Sequence, residues 1–286
     1  MTRVVYVNGR YHPYAEAAVH VEDRGFQLGD AVYEVCQVRQ GHIIDEARHL
    51  ARLWRSLGEL SIPTPMGDRA LGHVIRETIR RNRVRNGMVY VQVSRGVARR
   101  DFAFPANDTP PTLVCFARSI PLARQQAQAE TGIKVITQPD LRWRRCDIKT
   151  VMLLPACLAR QAASEAGAKE AWLIDAEGYV TEGAASNAWI VEADGVLVTR
   201  QIDRAILAGV TRATLLDAIA RAGLQVAERR FTPQEACRAA EAFVTAATNT
   251  VMPVVAIDGT AIGDGRPGPV VRQLRKIFQE VAAATT

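Results

Sequence analysis

The stretch "RWRRCDIKTVMLLPACLA", residues 142–159, places a lysine among apolar neighbours. Lys149 lies between Ile148 and the apolar run 151–154, in a chain with only four lysines among 36 lysines and arginines. A buried ammonium group is costly unless it is paired or deprotonated. The ordinary interpretation is a lysine at the end of a strand whose amine reaches water. The alternative is a lysine with a neutral amine, which can attack a carbonyl group and form a Schiff base.

Length and composition predict an ordinary globular chain around this segment. The 286 residues suffice for one large or two smaller domains, and 48% of them are hydrophobic. No apolar run is long enough to cross a bilayer, and the first residues lack the pattern of a secretory signal, so we expect no membrane partner. The five cysteines are far apart and form no C-x-x-C pair, which predicts reduced thiols in a cytoplasmic protein and no metal site.

The net charge of +6 raises the question of nucleic acid binding. The most basic stretch is "RETIRRNRVRNG", residues 76–87, and it continues the helical spacing of Leu71, Ile75 and Ile79. Its arginines therefore fall on the solvent side of a helix predicted over about 68–86. No aromatic residues alternate with them, as they would in an RNA-binding surface. An arginine-rich nucleic-acid-binding protein is kept as the non-enzymatic alternative, and we expect no nucleic acid partner.

Strands and helices alternate irregularly, which predicts an α+β fold with two domains. The pattern begins with a hairpin at Asn8-Gly9, and a helix over about 45–60 has Asp45 as its N-cap. Arg52 lies opposite the leucine stripe of that helix, where spacing alone predicts a solvated side chain. Residues 118–130 lack strand character. We therefore predict an N-terminal domain over 1–118, a linker over 119–130 and a C-terminal domain over 131–286.

Two further segments have features that suit a bound anion or cation. In "LAGVTRATLLDAIARAG", residues 207–223, Gly209 precedes a helix predicted from about Thr211, and a helix N-terminus suits a phosphate group. In "TEGAASNAW", residues 181–189, Glu182 precedes a turn of small residues before a strand. Its carboxylate could face a buried polar partner. Each feature is weak by itself, because helix starts and Glu-Gly turns are common.

Six segments, taken in order, resemble the fold type IV pyridoxal-phosphate enzymes. They are "RGFQLGDAVYEV", "RHLARLW", "RCDIKTVMLL", "TEGAASNAW", "LAGVTR" and "FVTAATNTVMPV". Within these enzymes the chain is most similar to the D-amino acid transaminases, over nearly its whole length. The resemblance implies a small N-terminal α/β domain, a larger C-terminal domain with a mixed, barrel-like sheet, pyridoxal 5'-phosphate (PLP) as the cofactor, and a working homodimer.

The resemblance also implies a role for each matching residue. Lys149 would form the Schiff base with PLP and move the proton between substrate and cofactor. Glu182 would pair with the pyridine nitrogen, Leu207 would pack against the ring, and Tyr33 would line the substrate side. The cofactor phosphate would be bound by Arg52, Val210, Thr211, Ala247 and Thr248. Cys146 and Arg142 would support the lysine.

The substrate loop departs from the family pattern. "SRGVARRDFAFP", residues 94–105, resembles the loop that reaches the neighbouring subunit's site in D-amino acid transaminases. Arg100 matches the arginine that holds the substrate carboxylate, whereas Phe102 replaces a histidine. Ala247 likewise replaces a residue with a hydroxyl group. The expected substrates are D-amino acids and 2-oxo acids. Branched-chain L-amino acid transaminases, (R)-selective amine transaminases and a lyase of aminated chorismate remain alternatives of the same fold.

Overall fold

The computed structural model describes residues 3–284, and these form two compact units. The first unit extends to Leu122 and also includes Ile148–Met152; the second consists of Ala123–Asp147 and the chain from Leu153 onward. The predicted two-domain α+β class is confirmed. The structure groups Lys149 with the first unit, whereas the predicted limits place it in the C-terminal domain. The limits 1–118, 119–130 and 131–286 themselves stay a prediction.

The first unit is built on a six-stranded sheet whose neighbouring strands are all antiparallel, in the order β2-β1-β6-β5-β3-β4. Its strands are β1 (Val4–Val7), β2 (Arg10–Pro13), β3 (Ala31–Arg39), β4 (His42–Ile43), β5 (Gly87–Ser94) and β6 (Thr112–Ser119). Its helices are α1 (Arg24–Leu28), α2 (Glu46–Glu59) and α3 (Asp68–Arg81). The hairpin predicted at Asn8-Gly9 is confirmed, because both residues have the positive φ angles that a type I′ turn requires.

Two sequence predictions for the helices of this unit need correction. Asp45 does precede α2, but it adopts a left-handed conformation and makes no side-chain cap hydrogen bond. Helix α3 ends at Arg81, not near residue 86. The cause of the early end is Asn82, whose side chain pairs with the backbone N–H and C=O groups of Val4 at 2.9 and 2.8 Å. A tertiary contact to β1 thus stops the helix.

The second unit contains a mixed nine-stranded sheet. The order along it is β12-β11-β10-β13-β14-β7-β8-β9, with β15 also paired to β14. Its strands are β7 (Ile133–Pro139), β8 (Glu170–Ile174), β9 (Val180–Gly183), β10 (Asn187–Val191), β11 (Leu197–Thr199), β12 (Val226–Glu228), β13 (Glu241–Ala246), β14 (Thr250–Ile257) and β15 (Thr260–Ala261). Its helices are α4 (Leu122–Thr131), which begins at the last residue of the first unit, α5 (Leu154–Glu165), α6 (Val210–Arg221), α7 (Pro233–Arg238) and α8 (Pro269–Ala284).

The core of the second unit is apolar and includes Trp172, Phe231, Val244 and Met252, all fully buried. The burial of such large side chains is the main favourable contribution to the stability of this sheet. The segment predicted as a linker forms helix α4, of which only Ala129 is buried. In residues 3–284 no helix combines the length and the apolar character that crossing a membrane would need.

Candidate functional site

The segment around Lys149 runs along strand β3 of the first unit. Thr150 forms an isolated antiparallel bridge with Val32, and the N–H of Tyr33 donates to the carbonyl oxygen of Lys149 at 3.0 Å. The N–H of Val151 donates to the carbonyl oxygen of Ala31 at 3.1 Å. Backbone hydrogen bonds on both sides therefore fix the position from which the Lys149 side chain starts.

The amine of Lys149 lies beside the phenol of Tyr33. Its Nζ is 3.3 Å from the Tyr33 hydroxyl oxygen and 4.4 Å from the centre of the ring. Tyr33 in turn stacks on Tyr90, and Tyr90 stacks on Phe116, so a row of rings across β3, β5 and β6 holds the phenol in place. Lys149 is partly exposed. Among residues 3–284 no carboxylate forms an ion pair with it.

A buried carboxylate on β3 binds Arg52. Glu34 accepts hydrogen bonds from Nε and Nη2 of Arg52 at 2.7 and 2.8 Å, and Nδ1 of His49 lies 2.8 Å from Oε2 of the same carboxylate. Burial opposes ionisation of Glu34, but the charge and hydrogen bonds of Arg52, with those of His49, lower its pKa to about 2. The solvated Arg52 that helical spacing predicts is therefore wrong: its side chain is only 10% exposed.

The loop 94–105 presents Arg100 and Phe102 to solvent. Phe102 is 83% exposed, and the Arg100 guanidinium lies 5.7 Å from its ring centre. The buried Arg24 anchors the loop, because its Nη1 donates to the carbonyl oxygen of Asp101 at 2.7 Å and its Nε pairs with Asp30. Arg100 and Phe102 thus flank Asp101, the residue whose carbonyl oxygen Arg24 holds.

Glu182 is the centre of a hydrogen-bond network in the second unit. It lies in β9 and precedes the bend at residues 184–186 that leads into β10, as the sequence predicts. Its carboxylate forms a short ion pair with Arg142 and accepts from Nδ2 of Asn187 at 2.9 Å. Asp140 also binds Arg142, at 2.7 Å, and the paired charges raise the pKa of Arg142 against the effect of burial. The negative charge of Glu182 is therefore compensated and its orientation fixed.

The segment that leads into helix α6 is tied to the same network. The N–H of Leu207 lies 3.2 Å from both oxygens of Glu182, and its carbonyl oxygen accepts from Asn187 at 3.0 Å. Gly209 is the N-cap of α6, and a Cβ atom there would lie 2.0 Å from Oδ1 of Asn187. Only glycine allows this approach. Helix α6 begins at the buried Val210 and Thr211 without a side-chain cap.

Ala247 and Thr248 lie in the turn that joins β13 to β14, and both are partly exposed. The carbonyl oxygen of Thr248 accepts a hydrogen bond from Nε2 of Gln125 in α4. The backbone of this turn is therefore held from outside the hairpin. In the described part of the chain no group of three or more His, Cys, Asp or Glu side chains could hold a metal ion.

The predicted residues fall into two groups. The first unit contains Lys149, Tyr33, Arg52, Arg100 and Phe102; the second contains Glu182, Leu207, Val210, Thr211, Ala247 and Thr248. Direct contacts join Lys149 to Tyr33, and Glu182 to Leu207. The sequence alone does not identify Glu34, His49 and Asn187 as partners. The available signal is the polar Asn187 in the run "NAWIV", where a buried strand otherwise has apolar residues.

Comparison with solved structures identifies the fold as that of the aminotransferases. A branched-chain amino acid aminotransferase from T.th., solved with pyridoxamine 5'-phosphate, matches with a TM-score of 0.92 and 26% identity, over 100% of this chain and 96% of that one. The Escherichia coli branched-chain enzyme matches with a TM-score of 0.88 and 23% identity, over 100% and 96% of the two chains. The sequence profile of the amino-transferase class IV family matches residues 31–257. The chain belongs to this family and is an aminotransferase.

Curated relatives extend the match to almost the full length. The D-alanine aminotransferase of Bacillus licheniformis is 37% identical over 282 residues, which cover 99% of this chain and 98% of the relative. That of Staphylococcus haemolyticus is 36% identical over 280 residues, which cover 98% of each. The family membership predicted from the six segments is confirmed.

Proposed function

We propose that the chain is a PLP-dependent D-amino acid transaminase, which exchanges amino and keto groups between D-amino acids and 2-oxo acids. The observation that carries the proposal is the position of Lys149, whose amine has no carboxylate partner among the described residues and lies 3.3 Å from the Tyr33 hydroxyl. The D-alanine aminotransferases that match over nearly the whole chain support the substrate class.

Each unit, taken by itself, contains residues whose chemistry fits a part of PLP. A partly exposed amine without a counter-ion can reach an aldehyde, and this is the first requirement for covalent attachment. Glu182, held by Arg142 and Asn187, offers a carboxylate for the pyridine nitrogen. When bound, PLP supplies an electron sink that stabilises the carbanion formed at the substrate Cα.

In this proposal Lys149 transfers the proton of the substrate Cα, and Tyr33 orients the lysine. The Nζ atom of Lys149 would accept and hold the proton that leaves the substrate Cα. The Tyr33 hydroxyl lies 3.3 Å from Nζ and accepts a hydrogen bond from it, which orients the amine. The stacked rings of Tyr90 and Phe116 limit the freedom of the phenol, so little reorganisation accompanies the transfer.

Phosphate binding is assigned to three places. The uncapped start of α6 at Val210 and Thr211 offers N–H donors and the positive end of a helix dipole. Arg52, oriented by Glu34, contributes a guanidinium group. The turn at Ala247 and Thr248 contributes backbone N–H groups. Leu207, tied by its backbone to Glu182, would then pack against the ring.

Arg100 is assigned to the substrate carboxylate, in a homodimer in which its loop serves the neighbouring subunit's site. Its exposed position on a loop anchored by Arg24 supports this assignment. The apolar, exposed Phe102 favours a second candidate, an (R)-selective amine transaminase, because a phenyl ring adds no contact to a carboxylate. The five cysteines form no disulfide, in support of a cytoplasmic location.

A half-reaction panel tests the substrate class. The PLP-loaded enzyme is offered D-alanine, D-glutamate, L-leucine and (R)-1-phenylethylamine separately, and the absorbance of the cofactor is followed over time. We expect fast conversion with the two D-amino acids. Conversion with L-leucine alone would reject the proposal in favour of a branched-chain enzyme, and conversion with the amine alone would favour the second candidate.

A further inference from the structure

The turn 247–249 is fixed by side chains from two helices. It leads into β14 through Thr250, which has a φ angle of 54°, a left-handed conformation that β-branched residues rarely adopt. Such a conformation persists only where the surrounding structure holds it. Gln125 of α4 donates to the carbonyl oxygen of Thr248 on one side of the turn.

Arg275 of helix α8 holds the other side. Its Nη1 donates to the carbonyl oxygen of Val251 at 2.7 Å, to Oγ1 of Thr250 at 3.1 Å and to the carbonyl oxygen of Asn249 at 3.4 Å. The carbonyl groups of Thr248 and Asn249 are therefore engaged by side chains of the two helices. Because the C=O of one residue and the N–H of the next share a planar peptide group, the N–H groups of Asn249 and Thr250 are fixed in direction.

The charge of Arg275 has no acidic partner in the described part of the chain. All the contacts of its guanidinium are to neutral oxygens, and the side chain is partly buried. Burial lowers its pKa below the ordinary value, but a guanidinium stays protonated throughout the physiological range. A full positive charge thus lies against the turn without a carboxylate to compensate it.

The charge of Arg275 matters for anion binding because residue 247 is an alanine. An alanine at this place has no hydroxyl group, so the side chain adds nothing to anion binding and only the backbone remains. A fixed backbone with an uncompensated cation behind it is a favourable site for an anion. The helix-bound arginine offsets what the side chain of Ala247 lacks.

We infer that Arg275 is a positioning residue for the phosphate of PLP: it holds the end of the turn 247–249 at Asn249 and Thr250 and places a positive charge against this turn. The inference rests on the proposed function, in which Ala247 and Thr248 bind the phosphate. It adds a residue of the last helix, remote in sequence from the other phosphate-binding candidates.

The test compares two ligands that differ only in the phosphate group. The full-length chain, freed of cofactor, is titrated with PLP and with pyridoxal in the wild type, Arg275→Gln, Arg275→Lys and the matched control Arg272→Gln. Arg272 is exposed on the same helix. Because a charge-assisted contact is lost, we expect Arg275→Gln to weaken PLP binding about tenfold and leave pyridoxal binding nearly unchanged. Arg275→Lys should lose less, and Arg272→Gln should change neither affinity.

Two results would overturn the inference. One is an unchanged PLP affinity in Arg275→Gln, and the other is an equal loss for PLP and pyridoxal, which would make Arg275 a support of the fold only. If Arg275→Gln does not fold, the same comparison is made on Arg275→Lys, where a selective loss for PLP supports the inference and a parallel loss rejects it. A wild type that binds PLP no better than pyridoxal would instead reject the proposed function.

Discussion

At the scale of single residues, the position of the Lys149 side chain is set by contacts with its neighbours more than by burial. Its amine is partly exposed, and its Nζ lies 4.4 Å from the centre of the Tyr33 ring and 3.3 Å from the Tyr33 hydroxyl oxygen. The backbone pairing with β3 fixes the start of the side chain and the ring fixes its end. A long, flexible side chain is thereby held ready without being removed from solvent.

The proposed role of Lys149 predicts a specific loss. Lys149→Ala should still bind PLP but show no measurable turnover, because both the attachment and the proton transfer need the amine. Borohydride reduction followed by peptide mass spectrometry should find the cofactor on Lys149 in the wild type and on no peptide of the variant. Lys134→Ala, at an exposed position, is the control and should behave like the wild type. Substantial turnover by Lys149→Ala would contradict the assignment.

Glu34 predicts a pH dependence of stability. Its pKa falls from the ordinary 4.5 to about 2, so its ion pair stabilises the folded state above about pH 4.5 and loses this effect as the pH falls toward 2. The shift corresponds to roughly 3 kcal/mol in the free energy of unfolding. Glu34→Gln should therefore lose stability at pH 7, with a difference from the wild type that shrinks on acidification in denaturant titrations.

The control for Glu34 is another glutamate with a lowered pKa. Hydrogen bonds from Arg80 and Arg81 lower the pKa of Glu77 to about 2, but the solvent screens its pairs on the surface of α3. Glu77→Gln should change stability far less than Glu34→Gln at pH 7. Equal losses in the two variants would show that the buried ion pair contributes no more to the free energy of unfolding than the exposed one.

At the scale of elements, most strands and helices follow from periodicity, and the exceptions have physical causes. Helix α3 stops at Arg81 because Asn82 bonds to β1, a contact distant in sequence. Helix α4 consists of good helix formers but has almost no buried face. Its sequence therefore lacks the apolar stripe from which a helix is predicted. Strand β9 is short and ends in Gly183, and its pairing with β8 outweighs the weak local preference.

The candidate site shows the same limit. The sequence resemblance predicts which residues take part, whereas their partners depend on three-dimensional packing. Arg52 is an example, because spacing along α2 says nothing of Glu34 on β3. Asn187 is another, because its contacts join Glu182 to the backbone of Leu207, 20 residues further along the chain.

The close approach of Gly209 to Asn187 predicts that a larger residue at the start of helix α6 destabilises the fold. In Gly209→Ala the new Cβ would lie 2.0 Å from Oδ1 of Asn187, so Asn187 must move away from Glu182 and Leu207. We expect a loss of about 1–3 kcal/mol in the free energy of unfolding and weaker PLP binding. Gly58→Ala, where a Cβ meets no atom within 4 Å, should be neutral or slightly stabilising.

A double-mutant cycle identifies the cause. If the clash with Asn187 is responsible, Asn187→Ala should relieve it, and the double variant should cost less than the sum of the two single changes. Calorimetric or denaturant unfolding of the four proteins measures this coupling. Strictly additive losses would place the strain of Gly209→Ala elsewhere.

At the scale of the whole molecule, the residues proposed for one reaction come from distant parts of the chain. The first unit contributes Lys149 and Tyr33 and the second contributes Glu182, although Lys149 follows a long stretch of the second unit in sequence. This distribution explains why no local motif could define the function. The order of six segments predicts the family, and the family profile over residues 31–257 and relatives that align with 98–99% of the chain identify it.

The proposed homodimer predicts that two inactive variants restore each other. If Arg100 serves the neighbouring subunit, a hybrid of a Lys149→Ala chain with an Arg100→Ala chain has one site with both residues and one with neither. Random mixing of the two chains should then yield about a quarter of the wild-type rate with D-alanine, since hybrids are half of the dimers and each has one complete site. Arg99→Ala, the exposed neighbour, should be active by itself and serves as the control for changes to the loop. Isolated hybrids that are no more active than their parents would mean that Arg100 acts within its own chain or not on the substrate at all.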